Sequence, residues 1–280
     1  MREVNQETII EAVKKLCQEA NYCLPQDVKQ ALLNAYYQED SKIGKQTLDI
    51  LNQNAIMAQD ASSPICQDTG MACVFVEIGQ DVHVNGSLEE AIHEGVRQGY
   101  EEGYLRKSVV FDPVFDRINT KDNTPAIITY QIVEGDKLKI IVAPKGFGSE
   151  NMCQVKMLKP SDGVDGIKDF VLKVVNDAGP NACPPMVIGV GIGGSFDRVT
   201  LLSKKAMMRA IGTHHSDVRY QALEEELLDM INQTGIGPAG YGGKTTALSL
   251  NIETYPTHIA GMPVAVSICC HVARHKEVIL

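Results

Sequence analysis

Apolar residues recur at three- and four-residue spacing over the first sixty positions, and this spacing predicts three amphipathic helices. They are "NQETIIEAVKKLCQEA", "PQDVKQALLNAYYQED" and "KIGKQTLDILNQNAIMAQD", with Cys17 on the apolar face of the first. The pattern then changes. "ACVFVEIG" predicts a strand, and Ser87 with Glu90 three residues later predicts a capping box that opens the helix "SLEEAIHEGVRQGYEEGYL". "PAIITYQIV" and "KLKIIVAP" flank Glu134-Gly135-Asp136, which predicts a hairpin.

Further along, "GVDGIKDFVLKVVNDAG" predicts a helix, the apolar run "MVIGVGIGG" follows, and "FDRVTLLSKKAMMRAIG" and "DVRYQALEEELLDMINQ" predict two more helices. The alternating segments "TALSLNIETY" and "PVAVSICCHV" predict closing strands. The expected fold class is therefore α/β, a helical N-terminal part over about 1–60 followed by a mixed sheet with helices over about 61–280. With no repeat, low-complexity linker or composition break, 1–280 is expected to form a single domain.

Composition narrows the classes. At 280 residues, 44% hydrophobic and 22% charged, the chain has ample length for a buried core. The net charge of −9 and the lack of any Lys/Arg cluster argue against a nucleic-acid partner. The N-terminal stretch "MREVNQETIIEAVKKL" has no apolar leader core, and no window reaches the roughly eighteen apolar residues of a membrane span, so a cytoplasmic location and no membrane partner are expected. In that setting the eight cysteines are expected as reduced thiols or metal ligands rather than disulfides.

Two glycine-rich stretches imitate nucleotide motifs. "GVGIGG", with Gly189, Gly191 and Gly194, fits the dinucleotide fingerprint between an expected strand and helix, but "GTHHSDVRY" stands where the next strand and its ribose-binding acid belong. "GPAGYGGKTT" resembles a phosphate-binding loop, yet counting back from Lys244 puts Pro238 at the first glycine position. Neither predicts a nucleotide site.

The cysteines sort by setting. Cys17, Cys23, Cys73 and Cys153 are expected as small buried hydrophobes. Cys66 in "SSPICQDTG", Cys183 in "NACPPM" and the pair Cys269-Cys270 in "SICCHVARH" fall at loops or strand ends. No C-x-x-C occurs, so any metal site would be assembled from distant loops.

The series "PICQDTG", "LRKS", "PKGFGSEN", "NACPP", "GIGPAGYGGKT" and "THIAGMPVAVSICCHVAR" resembles, in order and over nearly the whole chain, the class I iron-sulfur fumarate hydratases and their tartrate dehydratase relatives, in particular their separate alpha subunit. The resemblance implies a [4Fe-4S] cluster held by Cys66, Cys183 and one of the terminal pair, with Arg274, four residues on, selecting Cys270. It implies that Asp68 belongs to the acid-base machinery and that Gln67, Arg106, Gly148 and His258 contact substrate, with Lys244 a weaker candidate. It further implies a beta subunit as partner in a hetero-oligomer, supplying a threonine base and cationic substrate ligands.

Three thiolates leave one iron open for substrate, where four would leave it saturated. An open iron acts as a Lewis acid toward the departing hydroxide of a 2-hydroxy dicarboxylate, while a positioned base removes the neighbouring C–H proton. The "LRKS" and "KGFGSEN" wording resembles fumarate hydratases more than tartrate dehydratases. The alternatives are a tartrate dehydratase alpha subunit or a non-catalytic iron-sulfur or zinc redox sensor, which would have no use for Asp68 or Arg106. Taken singly, Asp68 also reads as an Asx-turn carboxylate, Arg106 as a solvated helix-end residue, Gly148 as a turn and His258 as a loop histidine.

Overall fold

A computed structural model of the chain describes residues 2–280. In order along the chain come β1 (Arg2–Asn5), α1 (Gln6–Tyr22), α2 (Gln26–Gln38), α3 (Lys42–Asp60), β2 (Met71–Gly79), β3 (Val82–Asn85) and α4 (Leu88–Glu102). There follow β4 (Ile127–Val133), β5 (Leu138–Lys145), the single turn α5 (Phe147–Glu150), β6 (Gln154–Leu158), α6 (Gly163–Ala178) and β7 (Met186–Gly193). α7 (Phe196–Met207), α8 (Val218–Asn232), β8 (Ala247–Tyr255), β9 (Met262–Cys269) and β10 (Lys276–Ile279) complete the chain. The predicted α/β class is observed. Two compact units share these elements: the first takes the described residues up to 25, with 54–146 and 274–280, and the second takes 26–53 and 147–273. The boundary at 53/54 falls inside α3.

In the first unit the sheet order is β10-β5-β2-β4. β2 is its centre, parallel to β4 and antiparallel to β5. This corrects the expected β4–β5 hairpin. Consecutive in sequence, the two strands lie on opposite sides of β2, and the 134–136 turn wraps the end of that strand instead: Gln80 N–H donates to Val133 O at 2.9 Å and Asp81 N–H to Gly135 O at 3.0 Å. A turn signal fixes where the chain reverses, but not whether the flanking strands take each other or a third strand as partner.

α1 and α4 cover the sheet with Ile9, Val13, Cys17, Ile92, Val96 and Tyr100, packed on Ala72, Val74, Val76, Leu138, Ile140 and Val142. The predicted cap is realised through the serine, whose Oγ accepts from Glu90 N–H at 3.2 Å. The four-residue strands β1, β3 and β10, like β6, are too short to leave a periodic signal and were not expected.

In the second unit the order is β6-β9-β7-β8, with β7 buried throughout. Its even positions Ile188, Val190 and Ile192 join an apolar cluster with Phe170, Val174, Leu227 and Ile231 of α6 and α8. Gly189 and Gly191, on its other face, are glycine because α7 lies against them: a Cβ on Gly189 would stand 2.0 Å from Ser203 O, and one on Gly191 2.2 Å from Val199 O. The dinucleotide-like "GVGIGG" is thus a helix-packing surface.

The phosphate-loop imitation is explained within the same unit. The buried Glu39 carboxylate accepts from the N–H groups of Lys244, at 2.9 Å, and Thr245, at 3.3 Å, so a protein acid fills the place a phosphate would need. Lys244 itself pairs at the surface with Asp40. Among the described residues no helix is long and apolar enough to cross a membrane.

Candidate functional site

The segment between α3 and β2 carries Cys66, Gln67 and Asp68, and the first unit ties it down residue by residue. Thr69 is buried and makes a reciprocal pair with Arg106: its Oγ1 accepts from Arg106 N–H at 2.9 Å and donates to Arg106 O at 3.2 Å. Tyr100, fully buried on α4, donates its hydroxyl toward both Thr69 O at 2.8 Å and Gly70 O at 3.0 Å. Burial holds that phenol well above its usual pKa, so it stays a donor. The buried Asn123 bridges the same loop to Ser108, donating to Gly70 O at 3.1 Å and accepting from Ser108 N–H at 2.7 Å. Arg274 Nη2 donates to Asp68 O at 2.6 Å.

Gly70 lets the loop enter the sheet. Its φ is +75°, and a Cβ there would lie 2.6 Å from the Lys145 carbonyl carbon, so no other residue fits. The Asp68 carboxylate accepts from Gly70 N–H at 3.0 Å through Oδ1, which is the Asx turn the sequence allowed. That turn sets the direction of the carboxylate. Asp68 is half-buried, Gln67 and Arg106 are exposed, and the Cys66 thiol donates to Gln67 Oε1 at 3.3 Å. One loop thereby gathers Cys66, Gln67, Asp68 and Arg106 of the expected site residues.

The second unit brings together Cys183, Cys270 and Gly148. Cys183 ends a short 3-10 turn, exposed and left-handed at φ +51°, a conformation that costs a non-glycine residue of order 1 kcal/mol and concentrates at working sites. His271 reaches this turn from the end of β9: its backbone N–H donates to Cys183 O at 3.3 Å and its Nδ1 lies 3.0 Å from the same oxygen. Cys270 is half-buried just beyond β9, whereas Cys269 is buried as the last residue of the strand. A Cβ on Gly148 would meet Asn181 O at 3.8 Å, which places that backbone beside the "NACPP" turn.

His258 is elsewhere. It precedes β9 and Cys270 follows it, and eight extended residues span on the order of 25 Å. The exposed His258 ring instead accepts from Ala260 N–H at 3.1 Å and borders an apolar cavity of about 650 Å³ with Val164, Tyr220 and Ile259.

Among the described residues no group of three or more His, Cys, Asp or Glu side chains is gathered for a single metal ion. An iron-sulfur cluster poses a different requirement, since each of its thiolates takes a separate iron. By the chemistry of the donors, Cys66, Cys183 and Cys270 fit such a group: all are thiols on loops or just past a strand end, none buried. Cys17 does not, because burial pushes its thiol up to about 12 and keeps it protonated. Cys73 is buried in β2, while Cys23 and Cys153 are half-buried rather than fully buried as expected. Tyr100 and Asn123 carried no signal in the sequence, and Thr69 stood inside "PICQDTG" without a role of its own. Tyr100 reads as one more apolar helix position, and hydrogen bonds to main-chain oxygens leave no motif.

The model of the family described as Fumarate hydratase (Fumerase) matches residues 10–279. A protein of Methanocaldococcus jannaschii, provisionally named L(+)-tartrate dehydratase subunit alpha, is 44% identical over 273 residues, 95% of each chain. The L(+)-tartrate dehydratase subunit alpha of Escherichia coli K12 is 32% identical over 261 residues, 92% of this chain and 86% of the relative. That of Escherichia coli O157:H7 is 33% identical with the same coverage.

Proposed function

The chain belongs to the fumarate hydratase family and is a hydro-lyase, and on that premise we propose that it is the alpha subunit of an iron-sulfur enzyme that interconverts malate and fumarate. The family match over 10–279 supports treating 1–280 as one catalytic domain. Cys66, Cys183 and Cys270 are its proposed cluster ligands. When bound, a [4Fe-4S] cluster with one open iron supplies Lewis-acid stabilisation of the departing hydroxide.

The observation that carries the reading is the clamped loop, which fixes the Asp68 carboxylate two residues from Cys66 by an Asx turn and three buried donors or acceptors. A group that moves a proton at carbon next to a carboxylate must be held in this way, because its efficiency depends on reach and orientation before pKa. Asp68 is proposed to hold or move that proton. Arg106, whose backbone is locked to Thr69, presents a guanidinium suited to a bidentate grip on one substrate carboxylate. Gln67 and the Gly148 backbone are proposed to orient the rest of the substrate. His258 enters on its motif alone.

A second substrate reading, tartrate, is favoured by the names of the relatives. Their designation as alpha subunits also supports a beta subunit partner. So does the irregular segment after α4, which carries Arg106 and exposes Tyr104, Phe111, Val114, Phe115 and Ile118. The test is turnover of the anaerobically prepared protein with its partner on malate and on L-tartrate, for wild type and Asp68→Asn. Malate is expected to be converted faster, and Asp68→Asn to lower kcat by about 10² or more with the visible cluster spectrum kept. Faster conversion of tartrate would move the assignment to that substrate, and full activity in Asp68→Asn would remove Asp68 from the mechanism.

A further inference from the structure

Arg274 is 6% exposed and makes one hydrogen bond, from Nη2 to the main-chain oxygen of Asp68. Its Nε and Nη1 are buried without any hydrogen-bond partner, and none of the ion pairs among the described residues includes it. Guanidinium does not lose its charge in a protein. A buried cation in no ion pair, with donors left over, is a costly arrangement for a fold to hold.

The topology that puts it there is specific. β10 pairs antiparallel with β5, Lys276 opposite Val142, and β5 pairs antiparallel with β2, Lys145 opposite Met71. Arg274, two residues before β10, is thereby carried to the sheet end where the Cys66–Gly70 loop enters β2. The one bond Arg274 makes is to that loop, two residues from Cys66.

We propose that Arg274 is the fixed counter-charge of the Cys66 loop: Nη2 positions Asp68 through its carbonyl, and the Nε and Nη1 N–H groups serve the sulfur anions of an iron-sulfur group, thiolate or sulfide, seated on that loop. This rests on the cluster reading above and adds a residue to it. A substrate carboxylate offers the same anionic chemistry. The loop favours sulfur, because Arg274 bonds the residue two positions from Cys66, so a ligating Cys66 would keep a thiolate on the same loop in every loaded molecule, whereas substrate comes and goes. Hydrogen-bond donors that surround metal-bound sulfur retain the group and tune it, and their removal costs roughly 10- to 100-fold in affinity or activity. Arg274 is in this account a positioning residue for Asp68 and a holding residue for the cluster.

The experiment compares wild type, Arg274→Lys and Arg274→Gln, each as the full chain with its partner, reconstituted anaerobically. Three quantities are read: melting temperature before loading, the rate of visible-absorbance loss on challenge with an iron chelator, and KM against kcat. The expected result is an unloaded protein that melts near the wild-type temperature, since removing an uncompensated buried charge offsets the lost bond. Once loaded, Arg274→Gln should release its cluster about tenfold faster or more, with Arg274→Lys between it and wild type.

Release at the wild-type rate in both variants would overturn the proposal. So would a raised KM with normal cluster retention, which would make the anion a substrate carboxylate, or a melting temperature lowered as much before loading as after, which would make the role structural. Failure of the wild type itself to take up iron and sulfide would instead defeat the cluster reading on which the proposal rests.

Discussion

The two adjacent cysteines differ in setting by a single residue step. Cys269 closes β9 with its side chain buried and its thiol 3.9 Å from Val272 O, while Cys270 has left the strand and is half-buried beside His271, which bonds the Cys183 turn. A cluster ligand must present a thiolate, which burial in an apolar strand disfavours. Cys270→Ser is therefore expected to abolish the visible cluster absorbance after anaerobic reconstitution, and Cys269→Ser to retain it. The reverse pattern would show that the strand-end thiol is the ligand.

At this scale the proposed chemistry-bearing residues stand out in the sequence, because thiols and carboxylates in polar loops contrast with an apolar background. It carried the supporting residues poorly. Tyr100 and Asn123 act through hydrogen bonds to main-chain oxygens, which depend on folding over distances of 31 and 53 residues. Arg274 could be placed by its spacing from Cys270, but its burial and its two unpartnered N–H groups could not.

Among elements, the loop between α3 and β2 matters most, and Gly70 is its narrowest point. A side chain there meets both an unfavourable φ and the backbone of β5, so Gly70→Ala is expected to cost roughly 2 kcal/mol or more, read as a shift in the denaturant midpoint. Gly135→Ala provides the comparison: its φ is +99° but nothing lies within 4 Å, so only the backbone term of about 1 kcal/mol applies. Equal losses at the two positions would show that β5 gives way and that the loop is not clamped as described.

Long helices and buried strands were legible because their periods repeat over two or more turns or four or more residues. Strand partnership was not. β4 and β5 looked like a hairpin until β2 came between them, and the short β10 that delivers Arg274 left no pattern at all.

For the whole molecule, α/β class could be read from the alternation of elements, but the two compact units interleave in sequence. Residues 26–53 belong with 147–273 and the C-terminal 274–280 with the first unit, so no composition break marks a boundary. The nucleotide imitations fail at this scale too. Their glycines and amides are consumed by α7 and by Glu39, partners that only the folded unit reveals.

What remains is a hydro-lyase whose proposed chemistry depends on iron that air should remove first from the position without a thiolate. The direct measurement is malate dehydration by the anaerobically prepared protein with its partner, followed through exposure to air and then through addition of ferrous iron with a thiol reductant. Activity is predicted to vanish in air and return with iron and thiol. Turnover that continues undiminished in air and in the presence of an iron chelator would contradict the account.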